Sequence, residues 1–204
     1  LTPTVNLAVR NIAAGILLPT GQISPPLPDL ATWGTVNTSI TLPYVSLPTD
    51  YQRQVSNVYD SSKYRILPPR GGDYYAYSKF LKSIPNLDLS ETGSIYIVCV
   101  RGTRLYYQGI PSASTTIGVH YYKKPSLLAL DGDEPEGIPD HLQLELIRHW
   151  VCAQIAGEIE SGQYNKGIMT GYHTAKMYEW LQNLCDFIGI DAEPQYYGED
   201  RFVD

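Results

Sequence analysis

Between residues 119 and 162 the hydrophobic period of this chain changes from two residues to roughly 3.6, and few architectures accommodate that change. Val119, His120, Tyr121 and Tyr122 read as a β-strand that Pro125 stops. An acidic loop follows, with Asp131, Asp133, Glu134 and Glu136. Ile138-Pro139-Asp140 then opens a long amphipathic helix. Asp140 fits an N-cap, and Gln143 three residues later is close to a capping box. Leu142, Leu146, Ile147, Trp150, Val151 and Ile155 form one apolar stripe that ends near Glu160. Sheet must therefore precede this point and helix must follow it.

The flanking segments extend both halves. Residues 4–14 place Val5, Ala8, Val9 and Ile12 at helical spacing, and Gly15 is a natural stop. Pro19, Pro25, Pro26 and Pro28 make an irregular connector. From about residue 36 to 125 the period is two. Short strands are predicted at Ser39–Leu42, Val45–Leu47, Gln52–Tyr59, Tyr64–Leu67, Ser94–Val100, Arg104–Tyr107 and Thr115–Tyr122. Gly102-Thr103 turns the strongest of them into a hairpin, and Tyr75–Ser83 reads as a short helix. Beyond Ser161-Gly162 a second long helix is predicted from about Asn165 to Ile188. Its buried side holds Ile168, Tyr172, Ala175, Leu181, Leu184, Cys185 and Ile188, and Gly189 follows as its C′ residue. A short link makes the two long helices antiparallel neighbours.

The expected fold class is α+β. The N-terminal helix and the two long C-terminal helices form a small α-helical bundle, interrupted by an inserted antiparallel β-sandwich or barrel-like domain. Expected boundaries are 1–35 for the first helix and connector, 36–125 for the β domain, 126–189 for the helical hairpin and 190–204 for an extended tail.

Composition narrows the function. With 43% hydrophobic and 18% charged residues the chain can bury a core. No apolar run approaches the ~20 residues of a membrane span. The chain starts at Leu1 rather than Met, which suggests a processed start. The net charge of −6, with basic clusters only at Lys123-Lys124 and Arg101 with Arg104, disfavours tight nucleic-acid binding. Cys99, Cys152 and Cys185 match no zinc spacing and read as buried free thiols. His149 and Cys152 could share a helix face but lack further ligands, so a surface His beside a core Cys is the expectation. Asp131-Gly132-Asp133-Glu134 lacks EF-hand spacing and reads as a solvated loop capping the next helix. No GxSxG, Walker A, HExxH or GxGxxG motif is present, and no nucleophile–base pair stands out. Catalysis, a cofactor and a metal are therefore not expected.

Tyrosine is the compositional oddity, at 17 against 3 Phe, much of it in adjacent pairs. Tyr suits positions with one end buried and the other wet, and interfaces are rich in it. An assembling protein and an ordinary Tyr-rich β domain explain this equally well. The tail 190–204 carries five acidic residues and one Arg, but also Tyr196, Tyr197 and Phe202. Three aromatics suggest a segment that docks rather than plain disorder.

The order of these features carries a resemblance. Ile40-Thr41-Leu42-Pro43 and Leu47-Pro48-Thr49-Asp50-Tyr51 open the β region, and Arg65-Ile66-Leu67-Pro68-Pro69 follows. The hairpin Ile95–Tyr107 runs to Gly109-Ile110-Pro111. Then come Tyr121-Tyr122-Lys123-Lys124-Pro125, Leu127-Leu128, the acidic loop and Ile138-Pro139-Asp140-His141-Leu142. Over roughly residues 36–165 the chain resembles the head–tail adaptor (connector) proteins of tailed bacteriophages, especially short-tailed ones. The resemblance implies a structural virion protein of the neck, made in the bacterial host cytoplasm, with no catalytic residues.

Its implied partners are further copies of itself in a twelve-copy ring, the portal protein, tail nozzle or tail-tube proteins, and genomic DNA in passing contact, with no membrane. The helical domain would pack around the ring, drawing on Leu142, Leu146, Trp150 and Trp180. The tail would dock on the portal through Tyr196, Tyr197 and Phe202. Acidic walls would keep a DNA channel from gripping phosphates. The alternatives are another neck or tail component contacting the adaptor and, further off, a carbohydrate-binding module stacking sugars on Tyr106 or Tyr121.

Overall fold

A computed structural model describes residues 2–61, 63–69, 72–84, 88–130, 132–161 and 167–189. In chain order the elements are α1 (Thr2–Ala14), β1 (Ala31–Asn37), β2 (Tyr44–Ser46), β3 (Tyr51–Asp60), β4 (Arg65–Ile66), α2 (Tyr77–Lys82), β5 (Ile97–Arg101), β6 (Arg104–Gln108), β7 (Thr116–Lys123), α3 (Asp140–Glu160) and α4 (Ile168–Gly189). Among the described residues the fold is mixed α and β, with four α-helices and two antiparallel sheets. These residues divide into two compact units. One holds the chain up to Leu30 and from Lys124 onward, and the other is Ala31–Lys123.

In the β unit the sheets run β1-β7-β3-β4 and β2-β6-β5. Alternation puts Val36, Val55, Ile117, Val119 and Tyr121 of the first sheet and Val98, Val100, Leu105 and Tyr107 of the second into one shared core. The hairpin β5–β6 forms as its turn chemistry predicts, with Gly102 at φ +60°. Two expectations fail here. Ser39–Leu42 is not a strand: Ser39 Oγ accepts from the N–H of Thr41 at 3.1 Å and of Leu42 at 2.9 Å, so a side-chain turn wins over alternation. Ile40 and Leu42 consequently lie exposed. The strand forms earlier instead, as β1, paired with β7 from Ala31↔Tyr122 to Asn37↔Thr116. Its sequence hid it because Gly34 breaks the pattern. A Cβ there would meet Pro48 Cγ and the Tyr121 ring at 2.9 Å, so the side chain is absent for packing reasons.

The predicted strands at Tyr64–Leu67 and Ser94–Val100 are also shorter, reducing to Arg65–Ile66 and beginning at Ile97.

In the helical unit α1 buries Ala8, Val9, Ile12 and Ala13 and packs on α3, while α3 and α4 pack on each other. Asn6 fixes α1 to the segment before α3: its Nδ2 donates to Leu128 O at 3.0 Å and its Oδ1 accepts from Leu128 N at 2.8 Å. The start of α3 corrects the capping expectation. Pro139 is the N-cap and Asp140 sits inside the first turn, with no side-chain cap bond. Gln143 Nε2 reaches back to Ile138 O at 2.8 Å and to Asp140 Oδ1 at 3.2 Å. Nor do the described loop acids cap the helix. Asp133 Oδ2 accepts from Ala129 and Leu130 N–H, and Glu136 accepts from Ser126, so each closes its own turn.

Burial along the helices is narrower than predicted. Leu142, Leu146, Ile147, Trp150 and Val151 are buried, but Ile155 is 39% exposed. On α4 only Met177, Leu181, Leu184 and Ile188 are buried, a single stripe of steps 4, 3 and 4. Ile168, Tyr172 and Ala175 are exposed and Cys185 is half-buried, because among the described helices α4 has one main partner, α3.

Candidate interaction surface

The helix α3 carries apolar residues on both its faces. Leu142, Leu146, Trp150 and Ala153 point inward. The other face presents Leu144 at 71% exposure, Ile155 and Ile159 at steps of 11 and 4. Together with Val5 of α1, the residues Leu144, Ile147, Val151, Cys152 and Ile155 line an open groove of about 530 Å³. Asp140, Gln143 and Arg148 form its polar edge. A helix with apolar residues on two faces has two surfaces to bury, and among the described residues only one of these faces is covered. A second exposed apolar group, Ile168, Met169 and Tyr172, opens α4.

The remaining predicted site residues fall as follows. Leu142, Leu146 and Trp150 are interior side chains of α3, and Trp180 is half-buried on α4. Tyr196, Tyr197 and Phe202 lie outside the described residues. Neither tyrosine offered as a sugar platform is free. Tyr121 is buried and donates to Asp50 Oδ1 at 2.6 Å, and Tyr106 packs against Tyr44 and Tyr77 with ring centroids 5.4 and 5.2 Å away. The Arg101 and Arg104 guanidiniums each lie 4.5 Å over a ring, of Tyr77 and Tyr44.

The His149–Cys152 reading is inverted. His149 is buried at 5% exposure and Cys152 is half-buried. Of the three free thiols only Cys99 is fully buried, and burial pushes it up to about 11. Among the described residues no group of three His, Cys, Asp or Glu side chains could hold a metal.

Sequence reasoning missed the partner of His149, which lies on the other long helix. His149 Nδ1 meets His173 Nδ1 at 2.9 Å, and Glu145 Oε2 stands 3.5 Å from His149 Nε2. Glu145 is also bonded by Arg148. Burial first, and then the positive neighbours Arg148, His173 and Lys176, hold His149 below the usual His range. Only the register of α3 on α4 creates this contact. The one sequence signal was a His on each of the two helices predicted to pack together.

A family profile described as SU10 adaptor protein matches residues 2–197. The chain belongs to the SU10 adaptor protein family. No curated protein gives a significant match. The family bears out the resemblance to phage head–tail adaptors and makes this adaptor a structural component of the virion that works among neck and tail proteins. The match spans both compact units of the adaptor, so the uncovered face of α3 and the His149–His173 contact lie within the family region. Among the adaptor's described residues, no helix is long and apolar enough to cross a membrane.

Proposed function

We propose that this adaptor closes into a homo-oligomeric ring that joins the portal to the tail and forms part of the DNA channel. The observation that carries the proposal is the outer face of α3, a largely apolar groove with a polar edge that is open among the described residues. A neighbouring copy is the occupant that a structural adaptor has always at hand. Burying a side chain such as Leu144 contributes about 1.5–3 kcal/mol, and repetition around a ring multiplies that gain. The tail 190–204, with Tyr196, Tyr197 and Phe202 as anchors, is proposed to attach the ring to the portal. The net charge of −6 suits a channel that must let DNA slide. The β unit is proposed to face the tail proteins.

One experiment tests both contacts. Purified portal is mixed with the wild-type adaptor, with the double variant Leu144→Glu, Ile155→Glu, or with a chain lacking residues 190–204, and the complexes are weighed by mass photometry. The double variant is expected to keep its monomer stability within about 0.5 kcal/mol, because both sites are on the surface. It should fail to build complete rings. The truncated chain should fold but not attach. Full rings from the double variant would exclude the α3 face as the contact. Full attachment of the truncated chain would exclude the tail. A complex with tail proteins but none with portal would favour another neck component.

A further inference from the structure

The helical hairpin holds a pair of titratable rings, His149 buried and His173 half-buried, that the proposed ring-building role does not use. His149 on α3 and His173 on α4 face each other Nδ1 to Nδ1 at 2.9 Å, at 5% exposure for His149. That distance is a hydrogen bond only if one nitrogen carries a proton and the other does not. Glu145 Oε2, 3.5 Å from His149 Nε2, assigns the His149 proton to Nε2. His149 Nδ1 is then the acceptor, and His173 Nδ1–H the donor.

We propose that His149 and His173 form a two-proton latch between α3 and α4, which holds with no added proton or with one and opens when the second is added. A first proton placed on His173 Nε2 leaves the Nδ1–H···Nδ1 bond in place. The second has only His149 Nδ1 to occupy. Two N–H donors then point at each other across 2.9 Å, and both rings are cationic.

The surroundings set where this happens. From α3, Arg148 adds positive charge, while Glu145 faces His149 as the one acid among the described residues and is already bonded by Arg148. From α4 come His173 itself and Lys176, with the Tyr172 ring packed edge-on 6.1 Å from His149. Burial first, and then Arg148, His173 and Lys176, outweigh Glu145 and hold His149 below the usual His range. The sign follows. A His whose folded value is depressed contributes stability that is complete above its unfolded value, near pH 6.5, and is lost as the pH falls toward the folded one. The Glu145–Arg148 pair ties the latch to the α3 groove, since Arg148 is also on the groove's edge. Acidification is thus expected to loosen the element that presents the docking face. The latch belongs to a single chain and does not rest on ring formation.

The test uses the full-length chain at concentrations where it is monomeric. Hydrogen exchange is followed from pH 8 to pH 5 and corrected for the intrinsic rate, with the β5–β6 hairpin amides as internal reference. In the wild type, protection across residues 168–189 is expected to fall by up to about tenfold per pH unit as the pH drops below the unfolded His value near 6.5. In His173→Gln, whose amide can donate to His149 Nδ1 or turn its oxygen to accept from it, the fall should be clearly smaller over the same range. Ring NMR titration of the wild type should show two coupled steps, with His149 titrating last. It decides the matter if His173→Gln does not fold. Flat protection in the wild type, an equal fall in the variant, or two independently titrating rings would overturn the latch. So would a step that moves on adding zinc chloride, which would make the pair a metal site.

Discussion

Tyr107 fills the β core with its ring and ties down a turn with its hydroxyl, which accepts from Ser39 N at 2.9 Å and donates to Leu42 O at 2.9 Å. Other tyrosines of the β unit work the same way. Tyr74 takes the Val58 N–H at 3.3 Å and donates to Leu67 O, and Tyr75 takes the Val55 N–H at 2.6 Å where β3 loses its regular register. Burial pushes the Tyr74, Tyr75 and Tyr107 hydroxyls up, so they stay protonated donors. The tyrosine excess is thus explained in part by backbone groups that bent strands leave unpaired, and phenylalanine could not replace it. Tyr107→Phe is expected to keep the fold and cost about 1–3 kcal/mol, the range for buried partners left unpaired. Urea denaturation of the variant against wild type measures it. At this scale the sequence showed that tyrosine mattered but not why, because the acceptors and donors are backbone atoms with no residue signature.

Long helices were the most legible elements, since their stripes rest on side-chain spacing alone. Their ends were less so. The start of α4 is held by Glu160, the last residue of α3, whose carboxylate accepts from Gly167 N at 3.1 Å, Met169 N at 2.9 Å, Thr170 N at 3.1 Å and Thr170 Oγ1 at 2.6 Å. One side chain thus closes the connection and caps the next helix, across a gap that local capping rules do not scan. These hydrogen bonds, led by the one from Thr170 Oγ1, hold the Glu160 carboxyl below the usual carboxylate range. A depressed carboxyl contributes stability that is present above its unfolded value and lost as the pH falls through the folded one. That window lies below the ordinary Glu range, well apart from the histidine window. Glu160→Gln is expected to raise exchange at the amides of residues 167–170 at pH 7 and to have no effect at pH 2, as hydrogen-exchange mass spectrometry would show. Among the strands, β1 was missed and Ser39–Leu42 wrongly included for one reason: alternation cannot see a glycine placed for close packing or a serine that turns the chain.

For the whole molecule, the family was legible in the order of motifs, while the proposed docking surface was only half so. The stripe with Leu142, Leu146 and Trp150 was visible as the helix's inner side, but Leu144 and Ile159 looked like ordinary scatter until the fold showed both exposed among the described residues. What an assembling chain leaves bare is defined by its neighbours, which no single sequence contains. The His149–His173 contact was illegible for a related reason, as its members come from two helices whose register no local pattern sets.

The β unit begins at Ala31 and ends at Lys123, and Ala31 stands opposite Tyr122 in the β1–β7 ladder. Entry and exit are therefore adjacent threads, and everything between them hangs from a doorway two strands wide. A chain in which residues 31–123 are replaced by a short Gly-Ser bridge is expected to keep the circular-dichroism helicity of α1, α3 and α4. Such a doorway lets one helical chassis trade its whole inserted module in a single recombination, with the helices α1, α3 and α4 left untouched.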